Sequence, residues 1–310
     1  MNAKLLIWIL CVLLIGIRFA DPIPVELARV SLFDFYQRIA PRAPDPLPVT
    51  IIDIDENSLQ EFGQWPWARS RLGKLVDKLM EHFPTVIGFD FVFPEHDRMG
   101  PEKLKEVWGY EEGQVELGAV LDSIPDQDLV FAQSLTGQPV VLGRMLQKSR
   151  GNQRINSDPE VTAEVVFSGE NPLPFIPPSD FAVVNIPELR GQAQGLGVLT
   201  LLPEQDGIVR RVPTLHRVGD KILPSLGIEM LRLGLFADKI EVFADNAGID
   251  RVNVGGIDIP TDRNGLTWVY FNRRTTDRYI SASDILNDRL EPGALAGHLM
   301  QKYIDLLCDD

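Results

Sequence analysis

Short apolar runs alternate along the chain with polar, proline- or glycine-marked breaks, and the period of each run predicts an element. Residues 49–54, Val-Thr-Ile-Ile-Asp-Ile, are nearly continuous and β-branched, the pattern of a strand covered on both faces. Over 69–83, Leu72, Leu75, Val76, Leu79, Met80 and Phe83 recur at helical spacing, which places one apolar stripe on a helix that Pro84 stops. A second buried strand over 86–93 follows, and strand, helix, strand predicts a βαβ unit with parallel neighbours. Asp126 is placed to cap a short helix ending at Gly137, ahead of a strand over 139–143. Further on, runs 197–202 and 208–213 flank Glu204-Gln205-Asp206-Gly207, and runs 257–260 and 266–271 flank Thr261-Asp262-Arg263-Asn264-Gly265. Their Asp-Gly and Asn-Gly steps predict two antiparallel hairpins. Residues 95–124 and 144–178, rich in polar residues, Gly and Pro, read as long surface loops. The run 222–236, interrupted by Pro224, Glu229 and Arg232, reads as a buried or amphipathic helix. The expected fold class is α/β: a single mixed sheet begun by parallel βαβ strands and extended by antiparallel hairpins.

The N-terminus adds a different element. Lys4 precedes an uninterrupted apolar stretch, 5–17, which Arg18, Phe19, Ala20 and Asp21 follow. Spanning a bilayer takes about 20 residues. Ala3, Phe19 and Ala20 lengthen the run while Lys4 and Arg18 snorkel, so a transmembrane signal-anchor over 1–20 is expected. The rival is a cleaved signal peptide, yet a cut after Ala20 places Arg18 at −3, where a small residue belongs. Either way the body is exported, and Lys4 orients the N-terminus inside and the remainder outside the cytoplasmic membrane. Residues 21–48 form a linker and entry segment, within which Pro41-Arg42-Ala43-Pro44-Asp45-Pro46 is stiff and extended; 49–298 form the folded domain; 299–310 form a tail.

Composition narrows the partners. A net charge of −14 repels nucleic-acid phosphates and anionic headgroups, so no nucleic acid is expected. The two cysteines, Cys11 in the apolar run and Cys308 near the C-terminus, fall in different phases, which argues against a disulfide and a metal cluster. His82, His96, His216 and His298 lack metal-ligand spacing, and neither a phosphate loop nor a Gly-x-Ser-x-Gly elbow occurs. No cofactor, no metal and no catalytic residue are expected.

Two places concentrate polar residues. In Asp53-Ile54-Asp55-Glu56-Asn57-Ser58, Asp55 is placed to cap a helix beginning at Glu56, and Asp53 to make hydrogen bonds at the sheet edge. A calcium loop fails here, because Ser58 stands where the turn glycine belongs and Gln64 where the bidentate Glu belongs. An exported aspartate-nucleophile phosphatase of haloacid-dehalogenase type is the alternative reading of Asp-x-Asp, although Asn57 replaces the expected Thr or Val and no lysine-plus-acid partner follows. A non-enzymatic interaction module is a third. Trp65-Pro66-Trp67 makes a rigid aromatic corner, and Arg69 then opens a helix from which it reaches an anion or a carboxylate such as Asp53. Asp90, inside an apolar strand, needs a partner or its pKa rises, and Arg69 is the natural one. The candidate cluster is thus Asp53, Asp55, Trp65, Trp67, Arg69 and Asp90, with Asp53 and Asp90 together at the carboxyl edge of neighbouring strands. In the second half, Asp206, Gly207, Arg210 and Arg211 mark the first hairpin.

These segments resemble the CHASE2 domain, the extracytoplasmic sensory module of bacterial adenylate/guanylate cyclases, histidine kinases and serine/threonine kinases. The resemblance rests on Asp34-Phe35-Tyr36-Gln37-Arg38 through Pro41-Arg42, Ile51-Ile52-Asp53-Ile54-Asp55-Glu56-Asn57-Ser58-Leu59, Gly63-Gln64-Trp65-Pro66-Trp67 and Ile87-Gly88-Phe89-Asp90. It continues through Asp126-Gln127-Asp128, Asp206-Gly207-Ile208-Val209-Arg210-Arg211-Val212-Pro213, Pro224-Ser225-Leu226, Pro260-Thr261-Asp262 and Ser281-Ala282-Ser283-Asp284-Ile285-Leu286, spanning residues 22 to 298. Asp21-Pro22-Ile23-Pro24-Val25-Glu26 further resembles the cyclase-linked members. Two departures stand out: Ala68 where a proline commonly completes the aromatic corner, and a C-terminus ending at Asp310 where the family continues into transmembrane helices and a cytoplasmic output domain. The resemblance implies a sensor of a small-molecule or protein stimulus outside the membrane, attached through the N-terminal helix and lacking its output domain, with a homodimer among the expected partners.

Overall fold

The computed structural model describes residues 23–41, 49–111, 114–148, 160–204, 206–271 and 278–290, with 4–5, 7–9, 11–12 and 16 before them. The chain forms two compact units, Met1–Leu47 with Tyr270–Arg274, and Pro48–Val269 with Thr275–Asp310. The first contains the Ile23–Ile39 helix, on which Phe33 packs against Tyr270 with ring centroids 5.9 Å apart. Arg29, Asp34 and Arg38 make that helix too polar for lipid. Among the described residues no helix is long and apolar enough to cross a membrane. That finding corrects the transmembrane helix expected over 1–20, most of which lies outside the described residues, as do most of the linker's prolines and the tail 299–310.

In the second unit the strands form five separate sheets among the described residues, so the single mixed sheet is also corrected. The helical stripe predicts its element well. Arg69–Met80 is a helix, and Leu72, Leu75, Val76 and Leu79 bury against Phe131 and Leu135 of the Gln127–Leu135 helix. It stops at Met80; Phe83 adopts φ 55° and is 76% exposed, so the last position of the expected stripe leaves the core. Asp126 caps the Gln127–Leu135 helix by accepting from the main-chain N–H groups of Asp128 and Leu129.

The partners of the strands differ from the βαβ expectation. Ile87–Phe89 pairs in parallel with Val140–Gln147, which pairs in parallel with Gly195–Val198 and antiparallel with Phe181–Val183. Ile51–Asp53 joins none of these. Its parallel partner is Tyr279–Ser281, because Ile52, Ile280 and the Ala282–Leu286 helix all pack into the core under the Arg69–Met80 helix. Both predicted turns form, with Gly207 at φ 80° and Gly265 at φ 77°. Their flanking strands nevertheless diverge: Arg211–Pro213 pairs with Leu266–Trp268, Gly195–Val198 stays with Val140–Gln147, and Ile257–Pro260 pairs with Gly248–Val254. The two hairpins are therefore turns between sheets.

The expected loops also carry structure, including the Pro101–Val107 and Val115–Asp122 helices and the Glu164–Gly169 strand. That strand borders a four-stranded sheet continued by Lys239–Asp245, Gly248–Val254 and Ile257–Pro260, and this sheet packs a second core with the Leu226–Gly234 helix.

Candidate functional site

Arg69 begins its helix at the foot of the aromatic corner, and its polar neighbours come from the capped Gln127–Leu135 helix and from the 95–97 segment, neither of which was expected to face it. Its Nε faces Oδ1 of Asp128 at 3.5 Å, with side-chain exposures of 12% and 5%. At that length the contact is an ion pair rather than a hydrogen bond, and among the described residues neither atom has a hydrogen-bond partner. The main-chain N–H of Arg69 donates to Oδ2 of Asp97, an outer nitrogen donates to the carbonyl of Glu95, and the guanidinium lies 4.2 Å from the Phe93 ring centroid. Burial holds its pKa below the usual range, against the pull of Asp128 and Asp97. Oδ2 of Asp128 also accepts from the main chain of Asp97 at 3.0 Å and lies 3.0 Å from Nδ1 of the exposed His96. Asp128 thus ties the capped start of one helix to the start of another.

Above this base lies an aromatic surface. Trp67 is buried and donates through Nε1 to the Gly63 carbonyl at 2.7 Å. Trp65, 39% exposed, stacks on Phe91 at 5.0 Å with planes 31° apart, and Phe91 leads through Phe89 and Phe93 to Phe131. The alternation that turns Phe89, Phe91 and Phe93 to one face turns Asp90 to the other.

That alternation corrects the expected Asp53–Arg69–Asp90 triad. Asp90 is exposed and has no ion-pair partner among the described residues; desolvation alone raises its pKa. Asp53 lies in register with Ser281, in a different sheet from residues 87–89. Asp55 caps the Glu56–Phe62 helix, accepting from the N–H and Oγ of Ser58 and from Oγ of Ser281. With its Oδ1 engaged by three donors, Asp55 is built into a joint between chain segments. Asp128, Asp97 and His96 are the members the sequence reading missed; the signal was the second acid of Asp126-Gln127-Asp128, a segment in which Asp126 alone was given a role, that of helix cap.

The second-half residues form a clamp. Arg210, 3% exposed, grips Asp206 through two bonds of 3.0 and 2.8 Å, while Arg211 donates to Glu204 at 3.0 Å and Asp262 at 3.2 Å. The two turns are thereby held together. Gly207 supplies the positive φ the first turn requires.

A further polar centre gave little warning. Arg144, fully buried, donates to the carbonyls of Glu160 and Leu196, and burial pushes its pKa down to about 10 against the pull of Glu229 and Glu160. Glu229, also fully buried, accepts twice from Arg232 and once from Thr162. Burial and the neighbouring Arg144 charge push His216 down to about 4. Among the described residues no group of three or more His, Cys, Asp or Glu side chains is gathered so as to hold a metal ion.

No curated protein and no solved structure matches the chain. A family model does, that of the CHASE2 domain, over residues 7–304. A CHASE2 domain is an extracytoplasmic sensor and is non-catalytic by itself. The resemblance carried by the aromatic corner, the capped Asp55 helix and the Asp206–Arg211 turn therefore holds across nearly the whole sequence, and the chain belongs to the CHASE2 domain family.

Proposed function

We propose that this sensor serves a nucleotide-cyclase signalling protein and that it meets its stimulus, a small molecule or protein outside the membrane, on the Trp65–Phe91 surface. One observation carries the reading: two exposed, stacked aromatic rings rest on a buried charged base. A contiguous exposed apolar patch rimmed by polar residues is a mark of a binding surface. Here Trp65 and Phe91 are 39% and 37% exposed, and the Arg69–Asp128 pair joins the two core helices beneath them. A ligand stacking on Trp65 shifts Phe91 and Phe93, on which the Arg69 guanidinium lies, so contact at the surface reaches the Arg69–Met80 helix.

Trp65→Ala, carried in the intact signalling protein, is expected to leave thermal stability nearly unchanged and to abolish stimulus-dependent cyclic-nucleotide synthesis. An unchanged response removes the surface from the mechanism. The cyclase linkage is tested separately by reading the DNA past codon 310 in all frames, where a nucleotide-cyclase catalytic segment is expected and a kinase segment overturns it. Location has its own test: an export-dependent reporter fused after Asp310 is active, and a reporter that works only in the cytoplasm is not.

A further inference from the structure

We propose that Glu164–Gly169 is a dimerisation edge, pairing antiparallel with the same strand of a second copy of this chain about a two-fold axis through Val166. Among the described residues the strand lies at the border of its sheet and pairs on one side only, in parallel with Lys239–Asp245. Among the described residues its outward main-chain groups bond to nothing, and an unpaired row of N–H and C=O groups is a template for another strand. The opposite border of the same sheet is blunted: Ile257–Pro260 ends in a proline, and its Asp258 is engaged by Arg251 and Asn253. Glu164–Gly169 has no proline, and its single charge stands at its first residue.

The side chains identify the occupant as a second copy. Val165 lies in register with Ile240 and Phe167 with Val242, and both inner residues are fully buried. Phe167 is 52% exposed, so the apolar face covered one strand inward runs into the open at the edge. Antiparallel pairing centred on Val166 sets Val165 of one copy against Phe167 of the other, Val166 against itself and Glu164 against Ser168. Each Phe167 then gains a β-branched neighbour, the favourable cross-strand pair, and the two apolar faces become continuous. No like charges meet, which matters because each chain carries a net charge of −14. Glu164 also lies in register with Lys239, which offsets its charge. An isologous contact of this kind closes on itself and leaves a dimer without further growth.

The test uses the full chain with Cys11→Ser and Cys308→Ser. Directly opposed antiparallel residues have Cα atoms about 4.5–5.5 Å apart, within the span of a disulfide. Val166→Cys is therefore expected to give a covalent dimer as the main product of mild oxidation, while Asp258→Cys on the opposite border stays monomeric. Phe167→Glu, its fold checked by circular dichroism, is expected to weaken the dimer at least tenfold in sedimentation equilibrium. Should that variant fail to fold, Phe167→Thr keeps β propensity and is expected to weaken the dimer in the same direction. A wild-type monomer throughout the micromolar range overturns the proposal. So does cross-linking at Val166 no faster than at Asp258, or a dimer indifferent to position 167.

Discussion

At 12% and 5% side-chain exposure, Arg69 and Asp128 sit where water screens little, so removing either strands the other. Asp128→Ala or Arg69→Ala is expected to cost about 3 kcal/mol each, and the double variant less than the sum, because the second change strands nothing further. Urea unfolding of the four proteins measures the coupling, and simple additivity would refute it. Asp90→Asn serves as the contrast: an exposed carboxylate with no ion-pair partner among the described residues gives stability no support at neutral pH, so the variant should be neutral or slightly stabilising. His216 sets a pH dependence. Its folded pKa of about 4 lies below the ordinary value of 6.5, so the unfolded chain takes up the proton first. The stability held by neutral His216 is whole above pH ~6.5 and is lost as pH falls toward the folded value, a loss of roughly 3 kcal/mol. Denaturation of His216→Gln across that window should show a shallower decline than the wild type. Parallel curves would assign the acid sensitivity to other groups.

Elements differ in how far they were legible, and the reason is the range of the forces that fix them. The Arg69–Met80 helix and the two capped helix starts followed from spacing and side-chain chemistry within a few residues, and both turns followed from Asp-Gly and Asn-Gly. Strand partners did not, because pairing is settled by packing between distant segments, and alternation alone cannot say which edge a strand joins. For the same reason the acids of the Arg69 centre were misassigned to Asp53 and Asp90, while the aromatic corner over it was visible as sequence. Gly197 shows what was hidden. Read as the start of a hairpin strand, it lies against the Leu226–Gly234 helix, where an added Cβ would stand 2.4 Å from Cα of Leu226. Main chain cannot move aside as a flexible side chain can, so Gly197→Ala is expected to cost about 3 kcal/mol. Gly227→Ala, where nothing lies within 4 Å of the added carbon, is its control. Equal melting temperatures for the two variants would mean that the strand and helix are not packed this closely.

At the scale of the whole molecule, the second unit joins segments more than 200 residues apart in sequence. Ile51–Asp53 and Tyr279–Ser281 are adjacent parallel strands, and the hydroxyls of Ser58 and Ser281 converge on Oδ1 of Asp55 at 2.8 Å each. The N–H of Ser283 donates back to Ser58 Oγ at 3.0 Å, so the caps of the first and last helices of this unit among the described residues share one network. Beyond the strand, Ala282, Ile285 and Leu286 are buried in the core that also holds Leu72 and Leu75. Burying a side chain the size of Ile or Leu contributes about 2 kcal/mol, and a folded domain is stable by only about 5–15 kcal/mol in total. Ending the chain after Arg278 removes Ile280, Ile285 and Leu286, strips Asp55 of one donor and takes from Ile51–Asp53 its neighbouring strand. Those losses together approach the whole stability of the unit. The shortened chain is therefore expected to lose its cooperative thermal transition while keeping part of its helical circular dichroism, since the Arg69–Met80 and Gln127–Leu135 helices still face each other. A single sharp transition at the wild-type temperature would show that the closing strand is dispensable and that the core under the aromatic corner stands without it.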